Sequence, residues 1–257
     1  MRDEIDWGVA DGIATVTLNR PEKRNAMNTA LLTKLRLGFD RLDERADVRV
    51  IVVRGAGPVF CAGMDLHEME EKRGVMSEPD GGIVAVLQRV ERSRHPTIAM
   101  LHGDAIAGGC ELALHCDLRI AADVARVGMP LARIGLVTPF ALTRKLIEVV
   151  GPAYARELLF TGRLVNAARA HEMGLIHHVV SAGQLEATTH TLARTIADNA
   201  PLSLTGMKAV ILRVTSAGEK IAHDDLDSMI QRARQSADAS EGRRAMLEKR
   251  APVFRGK

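Results

Sequence analysis

The sequence predicts an α/β fold, and three observations carry that prediction. Short β-branched runs read as strands, stretches with helical apolar spacing lie between them, and glycine-rich turns join the two. This alternation runs to roughly residue 180, after which the texture becomes all-helical.

From Ile13 to Leu18 the chain alternates, with Ala14, Val16 and Leu18 set against Ile13, Thr15 and Thr17, the signature of a strand. After the turn Asn19-Arg20-Pro21, Asn28 can cap a helix whose apolar side is Leu31, Leu35, Phe39 and Leu42. Val50 to Val53 is a buried strand ended by Arg54-Gly55-Ala56-Gly57-Pro58. Ile83 to Val90 is helical, and His95-Pro96 stops it and leads into a strand over Thr97 to Leu101. Gly109 to His115 is a short helix and Asp117 to Ala121 another strand. Asn166 and Gly174 are placed as cap and stop of one more helix, before a strand over Leu175 to Val180.

Beyond Ala200-Pro201, one helical stripe is Leu204, Met207, Ile211 and Val214, and a second is Ile221, Met229, Ile230 and Ala233. Asp238, with Glu241 three residues on, is expected to cap a last helix ending near Lys249-Arg250. The division is therefore a core over 1–200 and a helical oligomerisation region over 201–257. The latter has too little area to fold alone and should pack on the core or on another subunit.

Hydrophobic residues at 46% and charged residues at 26% describe an ordinary soluble globular chain. A net charge of +3 and only 3% aromatics argue against nucleic acid and against a membrane surface as partners. Cys61, Cys110 and Cys116 are odd in number and lack metal-ligand spacing, which suits a reducing cytosol. No apolar run reaches the roughly 18 residues of a membrane span, and the acidic, polar start resembles no targeting peptide. A cytoplasmic location is the expectation. There is no Gly-x-Gly-x-x-Gly fingerprint, Walker loop or Gly-x-Ser-x-Gly elbow, so nicotinamide, ATP and serine-hydrolase chemistry are disfavoured.

The chemistry concentrates in two small-residue turns. In Ala105-Ile106-Ala107-Gly108-Gly109-Cys110-Glu111 a carboxylate stands in the first turn of a helix, whose free N–H groups carry partial positive charge. Phe60-Cys61-Ala62-Gly63-Met64-Asp65 is a second turn at the end of a strand-like run. Two such turns can aim two N–H groups at one oxygen, and a nearby carboxylate can move a proton, as enolate chemistry on a thioester requires. Taken singly, a first-turn glutamate is more often a dipole complement and a glycine pair more often a packing device.

Longer phrases tip the balance. Pro21-Glu22-Lys23-Arg24-Asn25-Ala26-Met27-Asn28, Phe60 to Leu66, Gly108 to Ala113 with Cys116-Asp117, Leu159-Phe160-Thr161-Gly162-Arg163, Gly174-Leu175-Ile176 and Glu248 to Phe254 resemble the enoyl-CoA hydratase/isomerase (crotonase) family in order and spacing. The resemblance implies a spiral of ββα units with a C-terminal helical region used in homotrimers, often paired into hexamers. It implies an acyl-CoA ligand, no metal or redox cofactor, and a role in fatty acid metabolism. By motif match Ala62 and Gly108 supply the oxyanion N–H groups, and Glu111 is the first catalytic glutamate. Lys23, Arg24 and Ala26, the turn Ala62, Gly63, Met64, Asp65 and Leu66, and the tail residues Phe254 and Lys257 match positions that contact CoA.

One part of the pattern fails. The second glutamate of the hydratases falls at Leu131, and the glycine-rich loop that follows is replaced by Val137-Thr138-Pro139-Phe140-Ala141-Leu142-Thr143. Three readings stay open, in this order: an enoyl-CoA hydratase working through Glu111 alone, an enoyl-CoA isomerase, and an acyl-CoA binder with little turnover. Leu131 beside Glu111 should also dry the site and raise the carboxyl's pKa. Arg133 is a candidate to orient Glu111. Glu68, Glu70, Glu71 and His67 read as a solvated face, and His102 and His115 as packing.

Overall fold

The computed structural model describes residues 3–71, 82–216 and 224–256. Ile221 and Lys257 fall outside them. Among the described residues the strands are β1 (Ile5–Ala10), β2 (Ile13–Leu18), β3 (Val50–Gly55), β4 (Thr97–Leu101), β5 (Ala105–Ile106), β6 (Leu118–Ala122), β7 (Arg126–Gly128), β8 (Val165–Asn166) and β9 (His178–Val180). The helices are α1 (Thr29–Glu44), α2 (Leu66–Glu71), α3 (Gly82–Glu91), α4 (Gly108–Leu114), α5 (Phe140–Thr161), α6 (Ala167–Glu172), α7 (Leu185–Ala197), α8 (Pro201–Thr215), α9 (Asp224–Gln235) and α10 (Ala237–Leu247).

The main sheet has six strands in the order β1-β2-β3-β4-β6-β9, antiparallel only between β1 and β2. Each parallel step needs a crossover, and α1, α3 and α4 supply the first three. The β-branched runs are apolar on both sides because both faces of the sheet are covered. Ile51 and Val53 join the larger core with Leu31, Leu35 and Phe39, whereas Val50 and Val52 join Leu185, Ala193 and Ala197 of α7 on the other face. The apolar positions Leu185, Leu192, Ala193, Ile196 and Ala197 of that covering helix recur at helical spacing, a signal that sequence reasoning passed over. A second sheet, β5-β7-β8, lies beyond the carboxyl end of β4 and fixes the turn before α4.

Local signals explain most boundaries. Asn28 caps α1, its Oδ1 accepting the Leu31 N–H at 2.8 Å, and Leu31, Leu35, Phe39 and Leu42 are all buried. Asn166 caps α6 in the same way. The strand expected over 175–180 is shorter, β9, because Leu175 and Ile176 are spent on packing into the core. The cap of α10 differs from expectation as well. Ser236 Oγ accepts the Ala239 N–H at 3.0 Å, while Asp238 accepts the N–H groups of Arg255 and Gly256, both at 2.7 Å. Asp238 therefore ties down the tail rather than starting the helix.

In α8 the stripe Met207, Ile211 and Val214 faces outward, 61%, 62% and 71% exposed, while Lys208 is buried against His95 and Asp117. By contrast α10 packs on α2 and on the 3-10 turn Pro130–Ile134 of its own chain.

Candidate active site

The two glycine turns are brought together by backbone pairing. The Phe60–Asp65 turn is stitched on one side to Ala105–Ile106, with Cys61 N–H to Asp104 O at 3.2 Å and Ile106 N–H to Cys61 O at 2.9 Å. On the other side it is stitched to Met27, which donates to Gly63 O at 2.7 Å and accepts the Asp65 N–H at 2.9 Å. The space a Cβ on Gly63 would take lies 3.2 Å from Gly108 N, so the turns are in contact. Gly63 also has φ +99°, which a side chain would strain.

This pairing decides which N–H groups are available. The N–H of Ala62 donates to Arg24 O at 3.0 Å, so the expectation that Ala62 is an oxyanion donor is corrected: its proton is already spent. Met64 sits between the two bonds to Met27, so its own N–H turns away from Met27 and has no partner among the described residues. Gly108 opens α4, where the first N–H groups have no intrahelical acceptor. Ala107, just before it, holds φ 50° and ψ −116°, a strained geometry of a kind that costs about 1–3 kcal/mol and collects at functional sites. It lets the Ala107 N–H bond Gly128 O at 2.9 Å while the next N–H stays open.

Met64, Gly108 and Glu111 line one cavity of about 490 Å³. Its remaining wall is largely apolar, from Leu66, Met69, Ile83, Met129, Leu131 and Leu142. Glu111 is fully buried and neither carboxyl oxygen has a hydrogen-bond partner among the described residues. Burial pushes its pKa well above the ordinary value, opposed only in part by the charge of Lys145. Leu131 lines the same cavity, at the position that matches the second carboxylate of the hydratases. Besides Glu111, the polar residues lining this space among those described are Thr138 from the substituted loop and Asp227, Gln231 and Arg234 from α9. Sequence reasoning missed all four, because nothing short of the fold brings α9 and the loop at Thr138 to the cavity that Glu111 lines. Helix α9 thus covers its own chain's cavity, with Met246 of α10 also in the wall.

The other expected residues divide. Asp65 does not line the cavity. Its carboxylate pairs with Arg20 at 3.1 Å and accepts the N–H groups of His67 and Glu68, which makes it the start of α2. Ala26 offers its carbonyl to the same Arg20 guanidinium, whereas Leu66 reaches the cavity. Lys23 and Arg24 are exposed beside the first turn, with Arg24 3.8 Å from Asp104. Phe254 is exposed and outside the cavity wall. Glu68 and Glu70 are not a solvated face: Glu68 accepts the Thr29 N–H at 2.8 Å, and Glu70 pairs with buried Arg243 at 2.8 Å. Arg133 is exposed and lies against Gly162, away from Glu111. Among the described residues no group of three His, Cys, Asp or Glu side chains is arranged to hold a metal ion. No helix among them is long and apolar enough to cross a membrane.

Comparison with known proteins gives this geometry its context. The family model for enoyl-CoA hydratase/isomerase matches residues 8–257. The chain belongs to that family. It is 37% identical over 247 residues to the enoyl-CoA hydratase EchA19 of Mycobacterium tuberculosis (strain ATCC 25618 / H37Rv), covering 94% of this chain and 92% of the relative. Among solved structures it is similar to carnitinyl-CoA hydratase from Mycobacterium avium, with TM-score 0.88, 30% identity and full coverage of both chains. It is also similar to methylmalonyl-CoA decarboxylase in complex with 2-nitronate-propionyl-CoA, with TM-score 0.90, 27% identity and 100% of each chain covered. The crotonase fold is therefore the fold of this chain.

Proposed function

We propose that the protein adds water across the 2,3 double bond of an enoyl-CoA thioester, through an enolate held by the N–H groups of Met64 and Gly108. The observation that carries this is the meeting of those two open donors and buried Glu111 in one cavity. The thioester oxygen accepts both N–H groups and takes up the negative charge as the enolate forms, and losing one such donor typically costs about 3–4 kcal/mol. Glu111 as carboxylate takes a proton from the attacking water while oxygen bonds to C3. The same carboxyl then returns a proton to C2 as the enolate collapses. This chemistry is complete with two backbone donors and one carboxyl, so coenzyme A enters as part of the substrate and no further cofactor is invoked.

Lys23 and Arg24 are where CoA phosphates can be met, with Ala26, Gly63 and Leu66 along the pantetheine and Phe254 and Lys257 as tail contacts. The exposed face of α8 supports assembly as a homotrimer or hexamer. Three buried free cysteines support a cytosolic setting, and the acyl-CoA chemistry a role in fatty acid metabolism.

A second reading, double-bond isomerisation, is favoured by Leu131 and by the dry carboxyl. Moving a proton between C4 and C2 needs one proton carrier and no water. Loss of the conjugated thioester absorbance from a short 2-enoyl-CoA separates hydration from conversion of a 3-enoyl to a 2-enoyl-CoA. Both activities should fall about 10²–10⁴-fold in Glu111→Gln. Acyl-CoA binding without turnover, unaltered by that substitution, would reduce the protein to a binder.

A further inference from the structure

Glu111 must exist as a carboxylate for part of each turnover, yet its two oxygens have no hydrogen-bond donor among the described residues. The groups that can favour that state stand behind it, outside the cavity. His115 follows one turn later on α4 and is almost fully buried. Its Nδ1 lies 2.7 Å from the Glu111 main-chain oxygen and 3.9 Å from Glu111 Oε2. A carbonyl only accepts, so Nδ1 carries the proton and donates it to the main-chain oxygen, which leaves a fixed N–H dipole 3.9 Å from the carboxyl without a hydrogen bond to it. Burial holds the ring neutral, with a pKa of about 4, so this donor persists through the neutral range.

Behind His115 lies an ion cluster. Lys145 of α5 is 2.6 Å from Glu91 of α3 and 2.7 Å from Glu148, and Glu148 is held in turn by Arg144 at 3.2 Å. Lys145 and Glu91 side chains are each only 9% exposed. The field of Lys145 reaches both Glu111 and His115. The other ionisable neighbours are Cys110 on α4 itself, Arg119 of β6 bonded to the Ala113 and Cys116 carbonyls, and Asp227 and Arg234 of α9 across the cavity.

We propose that His115, backed by the positive charge of Lys145, is a positioning residue that favours the ionised, proton-accepting form of Glu111. It takes over from behind the helix some of the electrostatic support that the cavity's apolar wall withholds. This rests on the reading of Glu111 as the proton carrier.

The test follows deuterium exchange at the α-carbon of butanoyl-CoA in heavy water, which needs enolate formation but no water addition. Wild type, His115→Leu and His115→Asn are compared across pH, the asparagine keeping an N–H near the Nδ1 position. The expected result is that His115→Leu moves the acidic limb of the exchange rate upward by about one pH unit, while His115→Asn returns it most of the way. If His115→Leu does not fold, His115→Met carries the same comparison. The proposal is overturned if the leucine or methionine variant loses rate with its acidic limb unmoved, or if asparagine behaves like leucine. Should Glu111→Gln exchange as fast as wild type, the reading of the site itself fails, and this one with it.

Discussion

The two walls of the cavity are built on opposite plans. One wall, the turns 60–66 and 105–111, is backbone: paired on both sides, strained at Ala107, and closed against an added Cβ at Gly109. The other, residues 129–142 with α9, is side chain: apolar except for Thr138 and the polar face of α9. In the proposed reaction the first wall stabilises charge on an oxygen, and the second shapes what is attached to it. On that proposal enolate stabilisation and water activation are separable: the donors for the first lie on one wall, while Leu131 stands on the other.

The largest effect expected on that contrast comes from Glu111→Gln, which besides lowering turnover about 10²–10⁴-fold should stabilise the fold. Burial holds the Glu111 carboxyl above its ordinary range. The native state then keeps a proton that the unfolded chain releases, so stability falls as pH rises from the ordinary glutamate range towards the native value. Thermal melts should show the variant above wild type at about pH 8 and level with it at about pH 4. A variant less stable than wild type at the higher pH would mean the carboxyl is a structural partner after all.

On the backbone wall, Gly109→Ala places a Cβ 2.2 Å from Cys61 O, which cannot move without opening the paired turns. A loss of about 3 kcal/mol or more in urea unfolding is expected. A loss under about 1 kcal/mol would show that the turns yield more easily than their pairing implies.

Leu131→Glu sharpens the comparison by returning a carboxylate to the other wall. Water addition should rise relative to the double-bond shift by about tenfold or more, and like-charge repulsion should push Glu111 further up. An unchanged ratio of the two activities would place the limit on water activation elsewhere in the second wall.

The smallest effect concerns a residue beside the backbone wall but outside the cavity. Burial alone would raise the Asp65 pKa, but the Arg20 hydrogen bond and charge and the N–H groups of Glu68 and His67 bring it below the usual value. Its contribution is therefore present above the ordinary aspartate range and lost as pH falls through the lowered value. Asp65→Asn should lower the Tm by about 2–4 °C at neutral pH and by less in acid. Loss of CoA binding with an unchanged Tm would return Asp65 to the ligand-contacting set.

How far the sequence reached depends on whether a signal is local. The cap at Asn28, the face of α1 and the bounds of β2 and β4 were legible because each is set within a few residues. The cap of α10 was misassigned to Asp238 because Ser236 and Asp238 are both good caps, and only the returning tail gives Asp238 other donors. The assignment of an oxyanion N–H to Ala62 fails for a related reason: which N–H in a turn is free depends on the segment paired with it, here Arg24 and Met27, 38 residues before Ala62 and 37 before Met64.

By itself the sequence determined an α/β core, the two glycine turns, Glu111 in a first helical turn, and leucine where a second carboxylate was sought. Each is a matter of residue identity and short-range periodicity. Only the tertiary structure decided which backbone protons stay open, that α9 roofs the cavity, and that His115 and Lys145 stand behind Glu111. Hydrogen bonds between distant segments and the exclusion of water from a buried carboxyl exist only once the chain has closed on itself.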